Sequence, residues 1–119
     1  MSSRLALVIS TDPLTAALLG LLLQVEQVPA VYHASGAEPL LAEFDRVRPT
    51  VVLVDIDHPD GFSEAFTSHA QSAGARVIVY SPARLTDEVR DRAVARGLGW
   101  FGLPTVRTTF AAAIEGRAG

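Results

Sequence analysis

The residues best suited to chemistry gather around one stretch, Pro49-Thr-Val-Val-Leu-Val-Asp-Ile-Asp-His-Pro-Asp-Gly61. Val51 to Val54 form an unbroken apolar run that ends on a carboxylate, Asp55, before a Pro/Gly turn that also holds Asp57 and His58. A strand apolar at every position is buried on both faces, as strands of a parallel sheet are. Ligands of such sheets sit beyond the carboxyl ends of the strands, so Asp55 stands where chemistry is expected. Ser10-Thr11-Asp12 ends an earlier apolar run in the same way, and Ser81 ends a later one.

Other polar groups carry weaker signals. His58 lies close to Asp55 and Asp57, but adjacent residues of a turn seldom converge on one ion, and a loop histidine is usually solvated. His33 and His69 have no partner that spacing identifies. Gly97-Leu-Gly-Trp-Phe-Gly102 matches the dinucleotide pattern in letters only, because it follows a helix and precedes a strand instead of the reverse. Its glycines are expected to stop that helix and to allow a close approach to the strand. No Ser/His/Asp arrangement is recognisable by motif.

Absences narrow the chemistry further. There is no cysteine, hence no disulfide, thiolate nucleophile or thiolate metal site. All 10 basic residues are arginine, so Schiff-base chemistry and the lysine of a phosphate-binding loop are excluded.

The elements that must position Asp55 read as alternating strands and helices. Arg4 to Ile9 is a first buried strand, and Asp12-Pro13 caps and opens a helix. Leu14, Ala17, Leu18, Leu21, Leu22 and Val25 follow at spacings of three and four, predicting that this face is core, with Leu19 and Leu23 widening it. Val28 to His33 is a second strand. Ser35 to Glu38 has capping-box spacing before a helix whose buried stripe is Leu40, Leu41, Phe44 and Val47. After the central strand come a helix over Phe62 to Ser72, a strand over Arg76 to Tyr80, and a helix opened by Thr86-Asp87-Glu88 and stopped by Gly97. A short strand at Trp100-Phe101 and a helix over Thr105 to Glu115, with Val106, Phe110 and Ile114 inward, complete the chain. Strand and helix alternate five times without repeat or linker, which predicts one α/β domain over residues 1–119 with a parallel sheet covered on both sides.

Composition agrees with one globular domain: 119 residues, 49% apolar and 19% charged. The net charge of −3 supplies no attraction for nucleic acid or an anionic membrane, so neither is an expected partner. No run approaches the ~18 apolar residues of a membrane span, and Met-Ser-Ser-Arg does not open like a signal peptide, so a cytoplasmic protein is expected.

These residues also carry a resemblance. Pro-x-x-Val-Leu-Val-Asp-Ile at 49–56, with Pro59 after it, resembles the phospho-acceptor strand of bacterial response-regulator receiver domains. Val77-Ile-Val-Tyr-Ser81 is similar to that family's fourth strand, and Ala95-Arg-Gly-Leu-Gly-Trp-Phe-Gly-Leu-Pro104 to its Ala-Gly-Ala-x-Gly-Tyr-Leu-x-Lys-Pro segment. Ser35-Gly-Ala-Glu-Pro-Leu resembles its second-helix entry. The resemblance implies a doubly wound, flavodoxin-like sheet in the order 2-1-3-4-5. It makes Asp55 the acceptor position, Ser81 and Trp100 the switch positions, and Leu103-Pro104 a cis peptide bond.

The same resemblance exposes three departures. In the family an acidic pair at the end of the first strand helps to hold Mg²⁺, and a lysine contacts the phosphoryl oxygens. Here the pair falls on Ser10 and Thr11, and the lysine position falls on Leu103; the loop after Pro59 is also about two residues shorter. Neutral hydroxyls are poor Mg²⁺ ligands, and without metal and ammonium the charge of a transferring phosphoryl group is not neutralised. Asp12, Asp55 and Asp57 are the residues from which a residual metal site would be rebuilt. Otherwise Asp55 is either held by hydrogen bonds from Ser10, Thr11 or Ser81, or exposed and without a role.

The expectation is therefore a degenerate, non-enzymatic receiver-like module of two-component type that needs no cofactor. It would act through a protein partner, a histidine kinase or a regulator, or by forming a homodimer through its first helix or the surface around Trp100. The alternatives are a functional single-domain regulator phosphorylated on Asp55 with Mg²⁺, and a module that binds a small regulatory ligand in the switch-point crevice. With no effector domain in the sequence, output is expected to pass through another protein.

Overall fold

The computed structural model describes residues 4–33, 39–81 and 86–116. Strands β1 (Ala6–Ile9), β2 (Ala30–Tyr32), β3 (Val51–Asp55), β4 (Arg76–Ser81) and β5 (Gly99–Gly102) alternate with helices α1 (Pro13–Val25), α2 (Leu40–Val47), α3 (Glu64–Ser72), α4 (Asp87–Ala95) and α5 (Arg107–Glu115). The sheet is entirely parallel in the order β2-β1-β3-β4-β5, the predicted flavodoxin-like arrangement. Because the chain turns outward in both directions from β1, the ends of β1 and β3 lie side by side, with Ile9 opposite Val54. This is the switch point, and Asp55 is the next residue.

Alternation along the central strands divides the core in two. Ala6, Val8, Val51, Leu53, Ile78 and Tyr80 face α1 and α5, where they meet Leu19, Leu23, Phe110 and Ile114. Leu7, Ile9, Val52, Val54, Val77 and Val79 face the other side and meet Leu40, Phe44, Phe66, Ala70 and Ala93. Full burial of each large side chain stabilises by about 1.5–3 kcal/mol, so both faces of β1, β3 and β4 contribute.

Local signals explain the helix starts. The Asp12 carboxylate accepts from Thr15 N–H at 3.1 Å and from Thr15 Oγ1 at 2.7 Å, capping α1 ahead of Pro13. Ser63 caps α3 and Thr86 caps α4 through N–H bonds from Phe66 and Val89. Gly97, with φ of 74°, ends the α4 segment in the left-handed region, as its position predicts. The capping-box residues Ser35 to Glu38 and the residue Pro82 lie outside the described residues.

Three predicted helix faces are corrected. In α1 the inward residues are Thr15, Leu19 and Leu23, with Ala16 and Leu22 partly buried against the core; Leu14, Ala17, Leu18, Leu21 and Val25 are exposed. A helix with leucine on most sides has no single apolar direction, and the cap at Asp12 together with the sheet decides its rotation. In α2, Leu41 is exposed and Glu43 is buried instead. In the last helix Val106 occupies the exposed cap position, and Phe110, Ala113 and Ile114 point inward.

Candidate functional site at the switch point

β3 carries Asp55 to the carboxyl edge of the sheet, and β1 followed by the α1 cap brings Ser10 and Thr11 beside it. Asp55 is fully buried. Its Oδ2 accepts from Thr11 Oγ1 at 2.6 Å and from Thr11 N–H at 3.2 Å, while Oδ1 accepts from Asp57 N–H at 2.8 Å. Three donors thus converge on one carboxylate, two of them from a residue 44 positions away. Hydrogen bonds to an ionised acceptor are about twice as strong as neutral ones, and they make a buried charge tolerable.

Of the two outcomes expected for Asp55, the geometry is that of the held carboxylate, and its side-chain donor is Thr11. Ser10 turns away: its hydroxyl donates to the Asp12 carbonyl at 2.8 Å and accepts from Asp12 N–H at 3.1 Å, closing the turn into α1. Ser81 is buried at the end of β4, one residue past Tyr80, which lies opposite Asp55.

The suitability of this donor set for Mg²⁺ follows from what each carboxylate already does. The ion usually takes one or two carboxylates and keeps several waters. Asp12 is engaged as the α1 cap, and the hydrogen bonds from the Thr15 hydroxyl and N–H lower its pKa below the ordinary aspartate value. The Asp57 side chain is exposed, and its backbone N–H is turned toward Asp55. Thr11 holds Asp55 with a neutral hydroxyl. Among the described residues no group of three or more His, Asp or Glu side chains is arranged to hold a metal. The Asp12 and Asp55 carboxylates are both committed to hydrogen bonds within the fold, and neutral hydroxyls stand at Ser10 and Thr11, so this donor set suits the ion poorly.

The position where the resemblance expects lysine is filled by Leu103, half-buried against the α1/α5 side of the core. Its peptide bond to Pro104 is cis, as predicted. Trp100 on β5 is 41% exposed, with the Arg90 guanidinium 5.7 Å from its ring centre. Neither side chain presents an ammonium to Asp55.

Several participants escaped sequence reasoning. Tyr80 is buried, stacks on Phe101 at 5.7 Å, and donates its phenol to the Ile9 carbonyl at 3.1 Å, tying β4 to the end of β1. Burial, and after it the charges of Asp55 and Asp12, raise the pKa of this phenol well above the ordinary tyrosine value. His33 pairs through Nδ1 with the buried Glu43, whose other oxygen is 3.5 Å from Arg46. His69 pairs with Asp45 at 2.7 Å. His58 uses Nδ1 to accept from Gly61 N–H at 3.0 Å, which folds the loop after β3 inward. A Cβ at Gly61 would come within 3.1 Å of Ile9 and Val54, so glycine is what permits that close approach. Aspartate-rich spacing can flag a site, but only tertiary structure brings Glu43 to His33.

No protein-family model matches the chain, and no curated sequence does. Solved structures do. A response regulator receiver protein from Burkholderia phymatum is 22% identical, with 98% of each chain covered and a TM-score of 0.76. The signal receiver domain of a DNA binding response regulator from Colwellia psychrerythraea 34H is 27% identical, covering 96% of this chain and 97% of that one at a TM-score of 0.75. A response regulator receiver domain protein from Methanospirillum hungatei JF-1 is 18% identical, covering 97% and 93% at 0.75. The chain has the receiver fold along nearly its whole length.

Proposed function

We propose that this receiver fold is a degenerate signalling module of two-component type, one that works without phosphorylation, by contact with another protein and not as an enzyme. The coarse part of the reading, a two-component signalling module, is supported by its receiver-domain neighbours. The observation that carries the finer part is the Thr11–Asp55 pair, with a hydroxyl bonded at 2.6 Å to the carboxylate that would have to attack phosphorus.

Phosphorylation at Asp55 would require that bond to break and a phosphoryl group to form next to Thr11. Catalysis of this transfer consists almost entirely of positioning and charge neutralisation. Thr11 supplies no carboxylate for a metal, Leu103 supplies no cation, and the chain contains no lysine. Asp55 instead acts as a fixed acceptor that locks the end of β3 to the start of α1. The partner is a protein such as a histidine kinase or a downstream regulator, and it recognises surface that is already formed.

Trp100 is the only tryptophan and stands where the resemblance places a switch residue, so its fluorescence tests this reading. Mg²⁺ followed by beryllium fluoride, a phosphoryl mimic, is expected to leave the emission unchanged. A saturable change that disappears in Asp55→Asn would replace the proposal with a working regulator phosphorylated on Asp55.

A further inference from the structure

Helix α1 carries an apolar row that the fold itself does not use. Leu14, Leu18, Leu21 and Val25 are 80%, 43%, 62% and 51% exposed, while Thr15, Leu19 and Leu23 fill the core from the other side of the same helix. A single exposed leucine is ordinary, but four large apolar side chains in one row form the kind of continuous apolar patch that marks an interaction site. Their steps of four, three and four residues are those of a coiled-coil seam, which meets another helix knob into hole. One flank of the helix is already covered: the Tyr32 hydroxyl lies over Gly20, where a Cβ would come within 1.9 Å of it. On the other flank Leu22 packs on the core, so the free surface is a strip one helix wide.

We propose that this strip pairs with α1 of a second copy of the chain, antiparallel, about a two-fold axis passing between Leu18 and Leu21. The inference rests on the protein-contact reading above and names one contact surface for it. A two-fold interface must be complementary to itself. The steps of four, three and four read the same in both directions, so the axis sets Leu14 against Val25 and Leu18 against Leu21 of the other copy.

Charge selects both the occupant and the direction. Pro13 to Val25 contains no charged residue, so the strip offers nothing to attract a charged partner helix. Its N-terminal end carries Asp12; at its C-terminal end Glu26 is paired with Arg107 at 3.1 Å, whose side chain is largely exposed. Antiparallel pairing brings each Asp12 end toward the other copy's Arg107 and places opposite helix-dipole poles together. Parallel pairing would set Asp12 beside Asp12.

Sedimentation of the full chain over a concentration series tests this. The expected result is a monomer–dimer equilibrium that Leu21→Glu weakens roughly tenfold or more, the effect of losing one buried leucine from each copy, with an unchanged unfolding temperature at dilutions where the parent is monomeric. Val94→Glu, on exposed α4, should leave the dimer intact. Since the chain has no cysteine, direction is read by cross-linking: Leu18→Cys mixed with Leu21→Cys should form a disulfide that neither forms alone. A chain monomeric throughout, a dimer indifferent to Leu21→Glu, or a dimer lost in Val94→Glu would each overturn the α1 pairing. Those outcomes would leave the phosphorylation-independent reading standing, because it is decided separately by Trp100 fluorescence with beryllium fluoride.

Discussion

Asp55→Asn separates a carboxylate that holds the fold from one kept for phosphorylation. The wild-type group accepts three hydrogen bonds, from the Thr11 hydroxyl and N–H and from Asp57 N–H. The introduced amide can keep one oxygen toward Asp57. Its nitrogen then faces Thr11, whose hydroxyl can rotate to accept but whose backbone N–H cannot. That N–H, part-buried where it meets Asp55, loses its partner, at about 1–3 kcal/mol, and the remaining bonds lose their charge assistance, at roughly 1 kcal/mol more. The expected loss is about 2–4 kcal/mol out of a total stability on the order of 5–15 kcal/mol. At this chain length, with roughly 4 °C per kcal/mol, Tm falls by about 8–16 °C.

The assay is urea unfolding at pH 7 followed by circular dichroism, with an unchanged slope certifying the comparison. Thr11→Val, which removes only the hydroxyl, should cost about 1.5–3 kcal/mol in the wild type and distinctly less on the Asp55→Asn background, the mark of direct coupling. An Asp55→Asn protein as stable as the parent, or more stable, would refute the reasoning. A site built to crowd negative charge gains stability when one charge is removed, whereas a hydrogen-bonded structural carboxylate does not.

Further outcomes follow from the same geometry. Thr11→Asp places a second carboxylate against buried Asp55, so the variant should be destabilised in EDTA and recover as Mg²⁺ is added, a dependence the parent lacks; thermal melts with and without the ion check this. Leu19→Ala and Leu23→Ala should each cost about 2–5 kcal/mol and Leu14→Ala less than about 0.5 kcal/mol, which denaturant titration reads as a map of the inward face of α1. The lowered pKa of Asp12 stabilises the native state above the ordinary value of 3.8 and is lost as pH falls below it. Asp12→Asn, which can still cap, should therefore flatten the acid limb of the stability curve. The raised pKa of Tyr80 acts in the opposite direction: its contribution is complete below the ordinary value of 10.0 and is lost as pH rises above it, so Tyr80→Phe should soften the alkaline limb of the same measurement.

Sequence alone determined the architecture and the location of the site. Val51 to Val54, apolar throughout, read as a strand covered on both faces, and five strands alternating with helices leave a parallel doubly wound sheet as the economical solution. Asp55 at the end of the third strand, the caps at Asp12 and Thr86 and the stop at Gly97 are set by a residue's own chemistry or by near neighbours, so they were legible, whereas the cis bond before Pro104 was expected only from the resemblance. Tertiary structure decided whatever depends on which groups meet across the chain. Thr11 rather than Ser10 holds Asp55, because the turn into α1 consumes the Ser10 hydroxyl locally. Glu43, polar by type, is buried because His33 is there to meet it. The rotation of α1 was illegible for the plainest reason: with leucine at 14, 18, 19, 21, 22 and 23 both sides of the helix are apolar enough to be core, and only the sheet beneath it determines which side is buried and which is left exposed.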